Sequence, residues 1–153
     1  MDIEEQYDKI YRYCYFKLYD TQLAQDITQE TFLRFYRQGL SFDHGRELPY
    51  LYTIAKNLCI DEFRKQPAGN IEEAANEAAV DPSEDWIDIL VLRSIVSKLP
   101  NDEQELLFLR YANELPITSI CEITGLSRFA VYRRLSKSLK WLKEELKKEG
   151  FSE

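Results

Sequence analysis

Histidine is all but missing from this chain of 153 residues: His44 stands alone, in the polar stretch Phe42-Asp43-His44-Gly45-Arg46, with no second metal-type ligand beside it. The three cysteines, Cys14, Cys59 and Cys121, are odd in number, far apart and include no C-x-x-C pair. Such spacing implies neither a disulfide framework nor a zinc site, and free, mostly buried thiols are expected instead. Glycine is scarce as well, at five residues, and none belongs to a phosphate-cradling loop. With no Ser-His-Asp set either, the sequence offers no apparatus for covalent catalysis. No run approaches the roughly 18 uncharged apolar residues that would cross a bilayer. The first residues, Met1-Asp2-Ile3-Glu4-Glu5, are acidic where a secretory signal would be basic. A non-enzymatic, cytoplasmic protein without cofactor, metal or small-molecule substrate is the expectation.

What is present points to a packed protein. Apolar residues make up 44% of the chain and aromatics 13%, a globular composition long enough for one ordinary domain or two small ones. The net charge of -7 would, taken whole, argue against a nucleic-acid partner. Its distribution reverses that. Residues 66–90 hold seven acids and no base, which by themselves equal the net charge of the chain. Residues 127–148 hold eight bases (Arg128, Arg133, Arg134, Lys137, Lys140, Lys143, Lys147, Lys148) against Glu144 and Glu145, a local charge of +6.

Helical periodicity runs through both ends. Ile3, Tyr7, Ile10, Tyr11, Cys14, Tyr15 and Leu18 fall at the spacing of one apolar helix face. A second helix is expected over 21–38, capped by Thr21, with Leu23, Ile27 and Leu33 on or near its inner side and Gly39 as its stop. After a loop over 41–47, Pro49 suits the first turn of a third helix, in which Leu51, Ile54, Ala55, Leu58 and Phe63 continue inward to about Lys65. Residues 67–85 read as a flexible acidic linker with room for a short helix over 71–79. Beyond it a first helix uses Trp86, Leu90, Ile95 and Val96. Asn101 with Gln104 opens the next as a capping-box variant, cored by Leu106, Leu107, Leu109 and Tyr111. The fold class is thus all-α: two small helical domains, over 1–66 and 86–153, joined by the linker.

The last two helices carry the chemistry. Pro116 and Ile117 start a short helix with Ile120 and Ile123 inward, and Gly125 supplies the residue able to take positive φ at its end. Ser127 then caps a long helix whose inner positions are Val131, Leu135, Leu139, Leu142 and Leu146. Helix, three-residue glycine turn, helix is the helix-turn-helix pattern. Its second helix enters the major groove near its N-terminal end. That outer face offers Arg128, Tyr132, Arg133, Ser136, Lys137 and Lys140: arginine pairs with guanine O6 and N7, lysine and serine more often with phosphate. The bland reading of the same residues is the solvated face of a long amphipathic helix. The preceding glycine turn favours DNA.

Gly125-Leu126-Ser127-Arg128-Phe129-Ala130-Val131-Tyr132-Arg133-Arg134-Leu135, preceded by Leu99-Pro100, resembles region 4 of bacterial sigma factors. Ala24-Gln25-Asp26-Ile27-Thr28-Gln29-Glu30-Thr31-Phe32-Leu33-Arg34 resembles their region 2.2, and Tyr50-Leu51-Tyr52-Thr53-Ile54-Ala55-Lys56-Asn57-Leu58-Cys59-Ile60-Asp61 resembles regions 2.3 and 2.4. With only regions 2 and 4, the whole chain is similar to the extracytoplasmic-function (ECF) group. The resemblance implies an RNA polymerase sigma factor that binds core polymerase and recognises minus-10 and minus-35 promoter elements with its first and second domains. It implies that Asp26, Gln29, Glu30 and Arg34, a polar stripe at i, i+3, i+4 and i+8, dock on the clamp helices of the largest polymerase subunit. It further implies that Tyr50, Tyr52, Lys56, Asn57 and Asp61 handle the minus-10 element. Asn57 there matches the position associated with a flipped base, with the loop around 42–46 as a second wall. The group also implies an anti-sigma factor, often membrane-bound, masking the polymerase-binding faces.

Two departures concern specificity. The family commonly carries Trp at the position of Tyr50, and Thr-Val-x-Ser-Arg-Leu where this chain reads Ala130-Val131-Tyr132-Arg133-Arg134-Leu135. An upstream element of its own is expected from Tyr132 and Arg133. The competing class is a stand-alone helix-turn-helix regulator, which would share the second domain but have no use for the Asp26 stripe.

Overall fold

The computed structural model describes residues 3–38, 47–65 and 84–151, without the side chains of 84–87 and 89. The expectations for Gly39, the loop with His44, the linker over 67–85 and its short helix, and the Trp86 side chain lie outside the described residues. The chain divides into two compact units, Met1–Ala79 and Val80–Glu153. All regular structure among the described residues is helical.

In the first unit α1 (Ile3–Leu18), α2 (Thr21–Arg37) and α3 (Glu47–Lys65) each pack on the other two. Tyr19, at φ 55, takes the left-handed conformation that ends α1, and its N–H bonds the Tyr15 carbonyl at 2.8 Å. Asp20, not Thr21, caps α2: its carboxylate accepts from the Leu23 N–H at 3.1 Å, leaving Thr21 as the first helical residue. The core joins Ile10, Tyr13, Cys14 and Leu18 to Ala24, Ile27, Phe32 and Phe35 and to Leu48, Leu51, Tyr52, Ala55, Leu58 and Cys59. Thr28 and Thr31 are buried too, and their hydroxyls donate to the Ala24 and Ile27 carbonyls at 2.6 and 2.7 Å, so neither is left unsatisfied. The buried face of α1 is turned relative to the expected one, with Gln6 and Tyr13 inside and Ile3 exposed. Leu33 and Phe63, expected inside, are exposed. In both cases the other residues of the helix already fill the space between three short helices.

The second unit contains α4 (Glu84–Val96), α5 (Asn101–Leu107), α6 (Ile117–Thr124) and α7 (Arg128–Lys148). Its core comprises Ile95, Leu106, Leu107, Leu109, Leu115, Ile117, Ile120, Val131, Leu135 and Leu142. Leu90, expected inside, is exposed. Pro100 is the N-cap of α5, and Gln104 does not complete a capping box: its amide donates to the Leu99 carbonyl at 2.8 Å instead. A π-helical turn, Phe108–Ala112, follows α5, closed by the Asn113 N–H on the Phe108 carbonyl at 3.0 Å. The wider turn shifts the helical register by one residue, which moves Tyr111 from the expected core position to the surface and brings Leu115 in. Arg110 secures this corner by donating to the Leu115 carbonyl at 3.0 Å.

Candidate nucleic-acid interface

Between α6 and α7 the chain turns in three residues. Gly125 sits at φ 78 and its N–H bonds the Cys121 carbonyl at 2.8 Å. A Cβ added there would meet nothing within 4 Å, so glycine is favoured by the left-handed backbone rather than by crowding. The Thr124 hydroxyl donates to the Ile120 carbonyl and accepts from the Leu126 N–H, at 2.8 and 3.2 Å. Ser127 Oγ accepts from the Ala130 N–H at 3.1 Å and caps α7. Each orphaned backbone group of the turn thus named has a partner, which fixes the direction in which α7 leaves it.

That direction decides what α7 shows to solvent. Val131, Leu135, Ser138 and Leu142 form its buried seam. The Ser138 hydroxyl donates to Glu103 Oε2 at 2.7 Å, tying the seam to α5. At about 100° per residue the line through Phe129, Arg133, Ser136 and Lys140 lies on the far side of the helix from this seam, and all four are exposed. Lys137 flanks the line on one side; Arg128 and Tyr132 stand on the other, also exposed. Among the described residues Arg128, Arg133, Lys137 and Lys140 make no ion pair, so their charge is uncompensated locally. Of the six residues named from sequence, Arg133, Ser136 and Lys140 thus lie on this line and Tyr132 and Lys137 border it, while Arg128, about half a turn around the axis from Lys137, stands nearer the seam. Phe129, which sequence reasoning missed, stands at the head of the line, 72% exposed, with the Arg133 guanidinium 5.6 Å from its ring centroid. Its i, i+4 spacing to Arg133 was the available signal.

On α2, Asp26, Gln29 and Arg34 are exposed and Glu30 half-buried. Glu30 and Arg34 pair at 2.9 Å, and Gln22 donates to Asp26 at 3.3 Å. Exposed ion pairs of this kind stabilise by only a few tenths of a kcal/mol. Leu33, seven residues on from Asp26, continues the same stripe, with Tyr36 beside it, so the surface is polar with an apolar end. Leu33 thus lies outside rather than on or near the inner side of α2 where its spacing suggests.

On α3, Tyr50, Asn57 and Asp61 lie along one face at i, i+7 and i+11. Asn57 and Asp61 are exposed; Tyr50 is half-buried, its hydroxyl donating to Gln38 Oε1 at 2.5 Å and its ring 6.0 Å from that of Phe35. Lys56 is half-buried on the flank, and Arg64, not anticipated, adds a base to the face. Tyr52 does not belong with them. It is 1% exposed and its ring meets Tyr13 edge-on at 5.2 Å, so it has no face on which a base could stack. Two residues from Tyr50 on a helix is about 200°, which carries Tyr52 to the opposite side.

No three His, Cys, Asp or Glu side chains among the described residues converge as metal ligands, and no described helix is long and apolar enough to cross a membrane. Cys14 and Cys59 are buried and Cys121 half-buried, all as free thiols. A hydrogen bond with Cys59 holds the Cys14 thiol below its ordinary range; burial opposes this and Thr28 adds to it.

Comparison with known proteins identifies the family of both units. Residues 3–68 match the family model for sigma-70 region 2, and residues 89–142 that for sigma-70 region 4. The chain is 33% identical to the ECF RNA polymerase sigma factor SigW of Bacillus subtilis, over 92% of this chain and 84% of that one. It is 31% identical to SigM, another ECF sigma factor of the same organism, over 83% and 84%. Among solved structures, the sigma factor RpoE of Bartonella quintana, crystallised with the anti-sigma factor NepR, shares the fold. The match has a TM-score of 0.67 at 20% identity and covers 93% of this chain and 92% of that one.

Proposed function

The chain belongs to the sigma-70 family of RNA polymerase sigma factors, in its ECF group, and on that footing we propose how its surfaces divide the work of promoter-specific transcription initiation. The α2 stripe of Asp26, Gln29, Glu30 and Arg34, extended by Leu33, docks on the clamp helices of core polymerase. The α3 face of Tyr50, Asn57 and Asp61, with Lys56 beside it, receives the opened minus-10 element, and Asn57 meets the flipped base. The outer line of α7, with Arg128, Tyr132, Arg133, Ser136, Lys137 and Lys140, reads the minus-35 element.

The observation that carries this reading is the uncompensated basic line of α7, set directly opposite its buried seam on a turn that Gly125 and Ser127 fix. A base-reading helix needs its donors away from the core and near its N-terminal end. The overall charge of -7 then ceases to be an objection. Two modest DNA contacts held on one polymerase act at high effective concentration, so neither domain must bind DNA tightly alone. The protein works beside the chromosome, in the cytoplasm.

Control by an anti-sigma factor belongs to the same proposal. The related RpoE was crystallised with one, and here Leu33 and Tyr36 leave apolar area next to the α2 stripe that a partner would cover. Mapping transcription starts after forced expression tests the proposal. New starts should share two elements at fixed spacing upstream, and the absence of any common element would reject it.

A further inference from the structure

Phe129 is the most exposed of the large apolar side chains among the described residues, at 72%. It occupies the first turn of α7, at the head of the line that runs on through Arg133, Ser136 and Lys140. The ring has a charged neighbour. The Arg133 guanidinium carbon lies 5.6 Å from its centroid, within cation–π range. Phe129 thus presents an apolar surface outward while restraining a guanidinium one turn further along.

Resting on the assignment of α7 to the minus-35 element, we infer that Phe129 and Arg133 form one recognition unit. The ring packs on the C5 methyl of a thymine, and the guanidinium it braces donates to O6 and N7 of a guanine close by. Chemistry selects these partners: in the major groove thymine presents a methyl group to apolar side chains, and guanine presents the two acceptors that match arginine. Reach agrees. Four residues of helix rise about 6 Å, against about 3.4 Å per base step, so the two bases lie within about two steps of each other. The occupant is duplex DNA rather than an apolar protein surface, because Arg133 lies against the ring, Arg128 precedes it and α7 carries +6 between Arg128 and Lys148. Ser136, Lys137 and Lys140 are of the types that hold phosphate and so set the register.

The experiment uses holoenzyme reconstituted from core polymerase and the full chain, on templates selected from a library randomised across the upstream element. Each thymine of the selected element is replaced singly by deoxyuridine, which deletes only the methyl. At one position initiation by the wild-type holoenzyme should fall about fourfold, the transfer value of one buried methyl-sized group. Phe129→Ala should show no such response there, and Phe129→Leu should keep it while accepting other bases more readily at the guanine position. Indifference of the wild type to every replacement, or an equal fall in Phe129→Ala, overturns methyl reading, and an unchanged guanine preference in Phe129→Leu overturns the bracing of Arg133. Failure to initiate on any library template would instead reject the sigma-factor reading on which the inference rests.

Discussion

Tyr50 and Tyr52 stand two residues apart on α3, and replacing each by alanine should have opposite consequences. Tyr52 is 1% exposed and meets the Tyr13 ring at 5.2 Å. Removing a buried aromatic ring costs about 3–5 kcal/mol in lost transfer energy and unfilled space. At roughly 0.05–0.15 kcal/mol per residue, the first unit, Met1–Ala79, is stable by only about 4–12 kcal/mol. Tyr52→Ala should therefore consume a large share of the first unit's stability. Tyr50 is half-buried and bonded to Gln38 near the surface, so Tyr50→Ala should cost about 1 kcal/mol or less. Amide hydrogen exchange on the full chain resolves the two units separately. Tyr52→Ala should strip protection from α1, α2 and α3 while α5 to α7 keep theirs. Tyr50→Ala should leave protection nearly unchanged and weaken open-complex formation at the minus-10 element. A Tyr52→Ala protein with normal protection and a selective loss of initiation would refute the assignment of Tyr52 to the core.

Three further outcomes follow from the geometry. Gly125→Ala should destabilise the second unit by about 1–2 kcal/mol in urea denaturation, the cost of a Cβ in left-handed backbone, and Gly125→Asn by less; equal costs would mean that crowding, not φ, selects glycine. If Lys140 holds a phosphate, Lys140→Ala should lower the slope of log affinity against log salt by about 0.9 in holoenzyme binding to promoter duplex, evenly across upstream sequences, whereas a change in sequence preference would place Lys140 on a base. Alkylation of the native protein should modify half-buried Cys121 before the buried Cys14 and Cys59, and simultaneous modification of all three would contradict the described core.

Periodicity made the helices legible, because an apolar residue every three or four positions has few other uses in a short chain. It located the first three helices and the glycine turn, and the basic segment after Ser127 needed only a count of charges. Faces were harder to place. Leu33 and Phe63 are apolar at helical spacing yet exposed, since hydrophobicity marks a contact surface without saying whether the contact is internal. Tyr111 was misplaced for another reason: the π-helical turn at Phe108–Ala112 breaks the period on which the reading depended. Tyr52 lay inside a motif whose other members were assigned to DNA by resemblance, and a motif carries packing residues along with contacting ones. Phe129 went unnoticed because a count of charges singles out the basic side chains of α7, although a seam through Val131 and Leu135 already leaves Phe129 on the opposite side.

The division of labour between the two units is tested most directly by run-off transcription with purified core polymerase on a single promoter template, comparing the wild-type chain with Asp26→Lys. A discrete transcript is expected with the wild type, and little or none with Asp26→Lys. The first unit of the variant should keep its protection in hydrogen exchange, because Asp26 is exposed and its carboxylate accepts only from Gln22, an exposed neighbour on the same helix. A variant that initiates as well as the wild type, or a wild-type chain that binds promoter duplex specifically yet never supports a transcript, would contradict that division.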